Sequence, residues 1–77
     1  MSPSVPTDQQ GLAIVLNGAP DSVPGGTSVN DLLTRLGLTK DRIAVEIDGN
    51  IVRKADYETV LLHDGCRVEV VSFVGGG

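Results

Sequence analysis

Alternating apolar and polar positions recur along the chain and predict β-strands. The pattern is clearest in segments 43–47 (IAVEI) and 67–74 (RVEVVSFV), where aliphatic residues recur at alternate positions. A period of two is typical of strands that bury one face. The run 12–16 (LAIVL) is more uniformly apolar and predicts the opening strand. Weaker patterns predict two further short strands, at 19–23 and 51–52, and the segment 60–62 is brief and apolar.

Turn-forming residues separate these strands. Asn17-Gly18 is the strongest hairpin signal, because both central residues of a type I′ turn need positive φ. Asp48-Gly49 and His63-Asp64-Gly65 predict two more turns. Pro20 restricts the second strand to a sheet edge, since proline cannot donate a backbone hydrogen bond. The polar stretch 53–58 predicts a loop or a single helical turn.

One segment carries the period of a helix. Its apolar residues are spaced i, i+3, i+4 and i+7: Val29, Leu32, Leu33 and Leu36. Ser28 followed by Asp31 resembles a capping box, and Thr27 is an alternative cap. Gly37 stands where a helix-ending glycine belongs. At about nine residues, this helix must lie on a sheet to be stable.

The strand parity assigns a helix-facing side and an outer side to the predicted sheet. The residues predicted to face the helix are Leu12, Ile14, Leu16, Ile43, Val45, Ile47, Cys66, Val68 and Val70. Those predicted to face outward are Ala13, Val15, Ala44, Glu46, Arg67, Glu69, Val71 and Phe73. Val71 and Phe73 have two interpretations: Phe73 folds back onto the core or the parity slips at a bulge, or the two side chains form an apolar docking patch for a partner.

These elements predict an α+β domain, a mixed sheet of four to five strands with one main helix. This is the β-grasp arrangement of ubiquitin-like proteins. We expect a flexible leader at 1–11, the folded domain at 12–74 and a flexible glycine tail at 75–77. The leader has neither the basic start nor the apolar segment of a secretory signal, so we expect a cytoplasmic protein.

Length and charge narrow the possible functions. The 77 residues allow one small domain, too small for most enzymes that enclose both a cofactor and a substrate. The net charge of −4 disfavours nucleic acid as a partner. No apolar run approaches the ~20 residues of a membrane span, so we also expect no membrane association.

The residues that bear chemistry in the body of the domain are few. A single Cys66 gives no internal disulfide and too few ligands for zinc, so we expect no metal. Its parity points inward, where cysteine acts as a small apolar residue. The alternatives are a reactive or cross-linking thiol and a thiol for which His63 acts as the base. We interpret the scattered carboxylates as a solvated surface, with steering toward a basic partner as the alternative. They are Asp48, Asp56, Glu58 and Asp64.

The end of the chain is the most informative part. The last predicted strand runs directly into Gly75-Gly76-Gly77. Three residues without side chains extend by roughly 10 Å and fit a narrow channel. A carboxylate is a poor electrophile, so its reaction requires activation, for example as an acyl-adenylate made from ATP. The tail suits a carrier whose own terminus reacts, although a plain linker also ends in glycines.

From Leu12 to Gly77 the chain resembles the ThiS family, the ubiquitin-like sulfur carriers of thiamine biosynthesis. The matching segments are Asn17-Gly18, 26–29 (GTSV), 44–52 (AVEIDGNIV), 64–71 (DGCRVEVV) and 73–77 (FVGGG). Cys66 departs from the pattern, since the family usually has an acidic residue there. The glycine ending is the most specific feature of the resemblance.

The resemblance implies a function and a set of partners. A ThiF-type adenylyltransferase would use MgATP to adenylate the Gly77 carboxylate, with Gly75 and Gly76 entering its active site. Sulfur from a donor such as a cysteine desulfurase would then displace AMP and leave a thiocarboxylate. Thiazole synthase would accept that sulfur, and the chain would be a co-substrate that binds no cofactor stably. A carrier for molybdopterin or another sulfur-containing product is an alternative, as is a non-reactive interaction module.

Overall fold

The computed structural model describes residues 11–73, which form five strands, one α-helix and one 3₁₀ turn. In chain order these are β1 (Gly11–Leu16), β2 (Ala19–Pro24), α1 (Val29–Arg35), β3 (Ile43–Ile47), β4 (Asn50–Val52), the 3₁₀ turn (Lys54–Asp56) and β5 (Arg67–Ser72). Residues 1–10 and 74–77 lie outside the described residues. They hold nearly all of the predicted leader and the whole predicted glycine tail.

The strands form one mixed sheet in the order β2-β1-β5-β3-β4. The last strand in sequence, β5, is therefore the central one. It pairs in parallel with β1 and antiparallel with β3, while β1–β2 and β3–β4 are antiparallel hairpins. β2 is an edge strand, as Pro20 predicts. The mixed sheet with a single α-helix confirms the predicted architecture.

The two hairpin turns have the predicted backbone geometry. Both residues of each turn have positive φ: 49° and 84° at Asn17 and Gly18, and 51° and 85° at Asp48 and Gly49. The Asn17 side chain also joins the first turn to the central strand, because its Oδ1 accepts a hydrogen bond of 2.8 Å from the Val70 N–H. Local sequence thus fixes both turns, and a side chain of the first one contacts β5.

The helix begins at the predicted capping box. Ser28 Oγ accepts a hydrogen bond from the Asp31 N–H at 3.0 Å, and Asp31 Oδ2 accepts one from the Ser28 N–H at 3.1 Å. Thr27 has another role, since its hydroxyl donates to the Pro24 carbonyl. The helix has seven residues, Val29–Arg35, and Leu36 is its C-cap, followed by Gly37 with a φ of 75°. Within residues 11–73, no helix is long and apolar enough to cross a membrane.

The core lies between α1 and one face of the sheet, which we call the covered face. Val29, Leu32 and Leu33 of the helix are buried in one cluster with the strand residues Ile14, Ile43, Val45 and Val68 and with Cys66, which directly precedes β5. Leu12, Leu16, Ile47 and Val70 pack against this cluster and are partly buried. All nine residues predicted to face the helix therefore belong to the core or its margin.

Tyr57 joins this core, although the sequence predicted only a polar loop or turn around it. The 3₁₀ turn Lys54–Asp56 carries Tyr57 inward until 1% of the residue remains exposed. Burial raises the pKa of the Tyr57 phenol, and a backbone hydrogen bond with Val45 opposes that shift. Tyr57, an aromatic residue within an otherwise polar segment, thus completes the core.

The brief apolar segment 60–62 does not form a strand of the sheet. The segment makes a single bridge, Ser28 with Leu61, rather than joining the sheet. Its neighbouring backbone groups bond to the start of the helix: the Val60 carbonyl accepts from the Val29 N–H, and the Leu62 N–H donates to the Thr27 carbonyl. The segment is apolar because Leu62 enters the core and Val60 packs against it, so burial without sheet pairing accounts for its composition.

Candidate functional site

The central strand β5 leads toward the carboxyl terminus. Its register with β3 is continuous from Ile47 opposite Val68 to Ile43 opposite Ser72. One further hydrogen bond, from the Phe73 N–H to the Arg42 carbonyl at 2.7 Å, continues this pairing beyond the strand. The backbone is therefore held up to Phe73. The predicted reactive residue Gly77 and the channel-entering Gly75 and Gly76 lie outside the described residues.

Two apolar side chains next to this end of the strand face solvent. Val71 is 51% exposed and Phe73 is 54% exposed. The continuous β3–β5 register keeps both on the outer side, so Phe73 does not fold back onto the core. We call this outer side, which α1 does not cover, the open face. Val71 and Phe73 have the exposure that a docking role requires, and that role stays a prediction.

A third exposed apolar residue on the open face was missed by the sequence analysis. Ile51 of β4 is 73% exposed and lies opposite Glu46 of β3. The signal was present in the sequence: a two-residue turn at Asp48-Gly49 pairs Ile47 with Asn50, which places Ile51 on the same side as Glu46. Ala44, opposite Val71, also lies on this side. The apolar patch of the open face therefore comprises Ala44, Ile51, Val71 and Phe73.

Two carboxylates interrupt this apolar patch. Glu46 of β3 lies directly opposite Glu69 of β5, and both follow the open-face parity. Ile51 flanks Glu46 on the other side. Among the described residues, the ion pairs are Arg53 with Asp56 and His63 with Asp48, so neither glutamate has an ion-pair partner there. The open face thus combines exposed apolar side chains with two adjacent negative charges.

A separate polar cluster lies at the opposite end of β5, where the strand begins. Asp48 Oδ1 accepts a hydrogen bond from the Arg67 N–H at 2.9 Å, and Asp48 Oδ2 lies 3.1 Å from His63 Nε2. The bond from Arg67 is the main cause of a lowered pKa for Asp48, partial desolvation opposes it, and His63 adds to the lowering. Asp64 Oδ1 accepts a hydrogen bond from the Ala13 N–H at 2.7 Å. Asp48 and Asp64 therefore hold strand ends together, rather than forming only the solvated surface that we predicted.

Cys66 occupies the core, as its parity predicts. It is fully buried, and the nearby His63 ring contacts Asp48 and the Asp64 carbonyl instead of the thiol. Residues 11–73 contain no group of three or more His, Cys, Asp or Glu side chains placed to hold a metal ion. Within the described residues, the candidate functional site is therefore the open face together with β5, the strand that leads to the terminus.

The fold and this arrangement define a β-grasp protein with an apolar open face beside its outgoing carboxyl-terminal strand. The model of the ThiS family matches residues 11–77, so the match includes the terminal glycines. The chain belongs to the ThiS family. The recognition made from the glycine ending and the strand motifs is confirmed.

A solved structure of a related protein supports the same conclusion. The crystal structure of the thiamine biosynthesis protein ThiS from Geobacter metallireducens matches with a TM-score of 0.70 and 29% identity, covering 86% of this chain and all of that one. Its solution structure matches with a TM-score of 0.69. These matches confirm the β-grasp fold.

Curated relatives place a similar segment in longer chains. Thiazole synthases from Magnetococcus marinus and Paramagnetospirillum magneticum are 38% and 36% identical to this chain over 66 residues. The match covers 86% of this chain, but the chain spans only 20% of the length of each synthase. An uncharacterized protein, ycf40 of Porphyra purpurea, is 30% identical, and 93% of its length is covered. The segment thus occurs both in short proteins and in chains that bear the name thiazole synthase.

Proposed function

We propose that this protein is a sulfur carrier of thiamine biosynthesis that acts through the carboxylate of Gly77. The observation that carries the proposal is the family match over residues 11–77, which includes the terminal glycines that the chemistry needs. The similar structure from Geobacter metallireducens is that of a thiamine biosynthesis protein, which supports the pathway. On this proposal the chain is a co-substrate that partner enzymes modify, rather than an enzyme, and it acts in the cytoplasm.

The chemistry proceeds in three steps at the terminal carboxyl group. A carboxylate oxygen of Gly77 attacks the α-phosphorus of ATP, and pyrophosphate leaves as the acyl-adenylate forms. The terminal sulfur of a donor persulfide then attacks the activated carbonyl, and AMP leaves as an acyl disulfide forms. A thiol reductant cleaves its S–S bond, which releases the thiocarboxylate and the thiol of the donor. Glycines at 75 and 76 present no side chain to the walls of a narrow active site. MgATP belongs to the adenylating partner, and the carrier itself supplies the carboxylate and the means of docking.

Three partners follow from this chemistry. A ThiF-type adenylyltransferase activates the terminus, a donor such as a cysteine desulfurase supplies the sulfur, and thiazole synthase accepts it. The last of these has support from two relatives named thiazole synthase, in which a segment similar to this protein is part of the same chain. Covalent linkage of two modules in relatives is expected where the separate modules act together.

The apolar patch of the open face provides the docking contact in this proposal. Val71 and Phe73 lie directly before the terminal segment, so a partner that covers them also has the tail within reach. Ile51 extends the same surface to β4. Exposed clusters of large apolar side chains mark interaction surfaces, and three glycines alone would give an active site little affinity.

The test is the intact mass of the protein after incubation with a ThiF-type enzyme, MgATP, a cysteine desulfurase, cysteine and a thiol reductant such as dithiothreitol. We expect replacement of one oxygen by sulfur, located in the carboxyl-terminal peptide and dependent on ATP. A variant extended by one alanine after Gly77 is the matched control, because it keeps the fold and displaces the reactive carboxylate.

Two outcomes would contradict the proposal. An unchanged mass with a panel of active adenylating enzymes would favour an interaction module. Sulfur incorporation into the extended variant would exclude Gly77 as the acceptor. If sulfur enters the carrier but is not passed on to thiazole synthase, the carrier chemistry stands and the pathway is wrong.

A further inference from the structure

The pairing of Glu46 with Glu69 is a structural feature that folding does not explain. Like charges directly opposite each other on neighbouring strands destabilise a sheet. All six Lys and Arg residues of the sequence lie within residues 11–73, and in that part neither glutamate forms an ion pair. Arg67 is on the same face, two residues before Glu69, without bonding to it. The free protein therefore carries a repulsive pair that its own basic side chains leave uncompensated.

The surroundings of the pair determine what would happen if the open face were covered. Ile51 flanks Glu46, and Val71 with its opposite residue Ala44 forms the next outward-facing row of the sheet. A partner that buries these apolar side chains also removes water from the glutamates. Burying a carboxylate without an opposite charge is costly. The contact therefore favours binding only when the partner places a cation at this position.

We propose that Glu46 and Glu69 together bind an arginine or lysine side chain of thiazole synthase when that enzyme covers the apolar patch. This inference rests on the proposed function. A single guanidinium can donate to two carboxylates at once, and such charge-assisted bonds are strong and directional. Thiazole synthase is the occupant because similar segments and a thiazole synthase share one chain in two relatives. The two glutamates would then favour a partner with a cation at this position, and they would lower the stability of the unbound protein.

The proposal predicts opposite changes in stability and binding. Glu46→Lys replaces the repulsion with an attractive cross-strand pair to Glu69, so the melting temperature of the free protein rises. The same variant loses about tenfold or more in affinity for thiazole synthase, because two cations now meet in the interface. Glu69→Gln also raises the melting temperature and weakens binding by about threefold, with a smaller dependence on salt.

Glu58 provides the matched control. It is exposed, and it follows Tyr57, whose carbonyl accepts a hydrogen bond from the Asn30 N–H of the helix. It thus lies on the helix side of the molecule, away from the open face. Glu58→Lys and Glu58→Gln change the net charge by the same amounts, and we expect them to bind thiazole synthase as the unmodified carrier does.

The experiment measures calorimetric binding of the carrier and each variant to purified thiazole synthase at several salt concentrations, with melting temperatures and sulfur loading in parallel. Equal affinities for all variants would overturn the inference, since the pair would then serve only to keep the free face hydrated. A loss confined to adenylation would assign the pair to the adenylating enzyme instead. An unmodified carrier that accepts sulfur but does not bind the synthase would overturn the inference and the choice of thiazole synthase as acceptor, and it would leave the carrier chemistry standing. A carrier that accepts no sulfur would overturn the carrier chemistry itself.

Discussion

The two faces of the sheet differ in what their side chains contribute. On β5, Val68 points to the covered face and is fully buried, whereas Val71, three residues later, is 51% exposed. The two residues have the same side chain and lie in the same strand. The difference arises because α1 and Tyr57 close one face and nothing in the described chain closes the other. Residues of the covered face are therefore selected by folding, and those of the open face remain available to partners.

This difference has a consequence for a domain of this size. Apolar burial and chain entropy nearly cancel below ~80 residues, so every buried side chain of the covered face matters. An apolar patch on the open face adds nothing to the free fold and carries a risk of aggregation. Its presence beside the outgoing strand supports the docking role proposed for Val71 and Phe73.

The largest expected effect comes from the helix contact with the covered face. Leu33→Ala removes a side chain that is 1% exposed and lowers the free energy of unfolding by about 3 kcal/mol. Leu36→Ala, the same change at a position that is 40% exposed, costs about 1 kcal/mol or less. Urea denaturation followed by circular dichroism measures both. Similar losses for the two variants would contradict the packing of α1. If Leu33→Ala is unfolded without urea, Leu33→Met gives a milder change at the same position.

A smaller effect compares the two faces within one strand. Val68→Ala should lower the free energy of unfolding by about 2 kcal/mol, because two buried methyl groups are lost. Val71→Ala should change it by no more than about 0.5 kcal/mol. For the rate of sulfur loading, we expect the opposite order of effects. At a temperature where both variants are folded, Val71→Ala slows loading and Val68→Ala does not. Loading that follows stability in both variants would exclude the open face from docking.

The smallest expected effect on stability concerns Asp48, which lies in the turn after β3 and on neither face of the sheet. Since the pKa of Asp48 is lowered on folding from its ordinary value of 3.8, its ionised form stabilises the fold at pH values above 3.8. This stabilisation is lost as the pH falls through the lower pKa of the folded state. Asp48→Asn should therefore be less stable than the unmodified protein at neutral pH, with the difference shrinking in acid. Thermal melts from neutral to acidic pH measure this difference, with Asp41→Asn, the same change at an exposed loop residue, as the matched control.

Local signals predicted most of the fold correctly. Two-residue turns at Asn17-Gly18 and Asp48-Gly49 adopt the positive φ values that their residue types favour, and Ser28 with Asp31 caps the helix as the spacing indicates. Strand parity assigned the covered face without error, because a period of two leaves only two possible sides. These features depend on residues that are near one another in sequence.

The same reasoning failed where distant segments decide the environment. Val60 and Leu62 have the composition of a strand, yet their backbone groups bond to the start of α1. Tyr57 stands among polar residues and is buried nonetheless, because the 3₁₀ turn directs it beneath the sheet. The side on which Ile51 lies follows from the register of the β3–β4 hairpin, which the periodicity of a three-residue strand does not specify.

The sequence by itself determined the strand faces, the turns, the cap and the glycine ending that indicated the family. Only the tertiary structure decided that β5 is central, that Glu46 lies opposite Glu69, and that Asp48 meets His63. Turns and caps depend on dihedral preferences and hydrogen bonds within a few residues, which a local sequence specifies. Strand order and cross-strand neighbours depend on which pairing buries the most apolar surface across the whole chain, and that choice is made only when the core assembles.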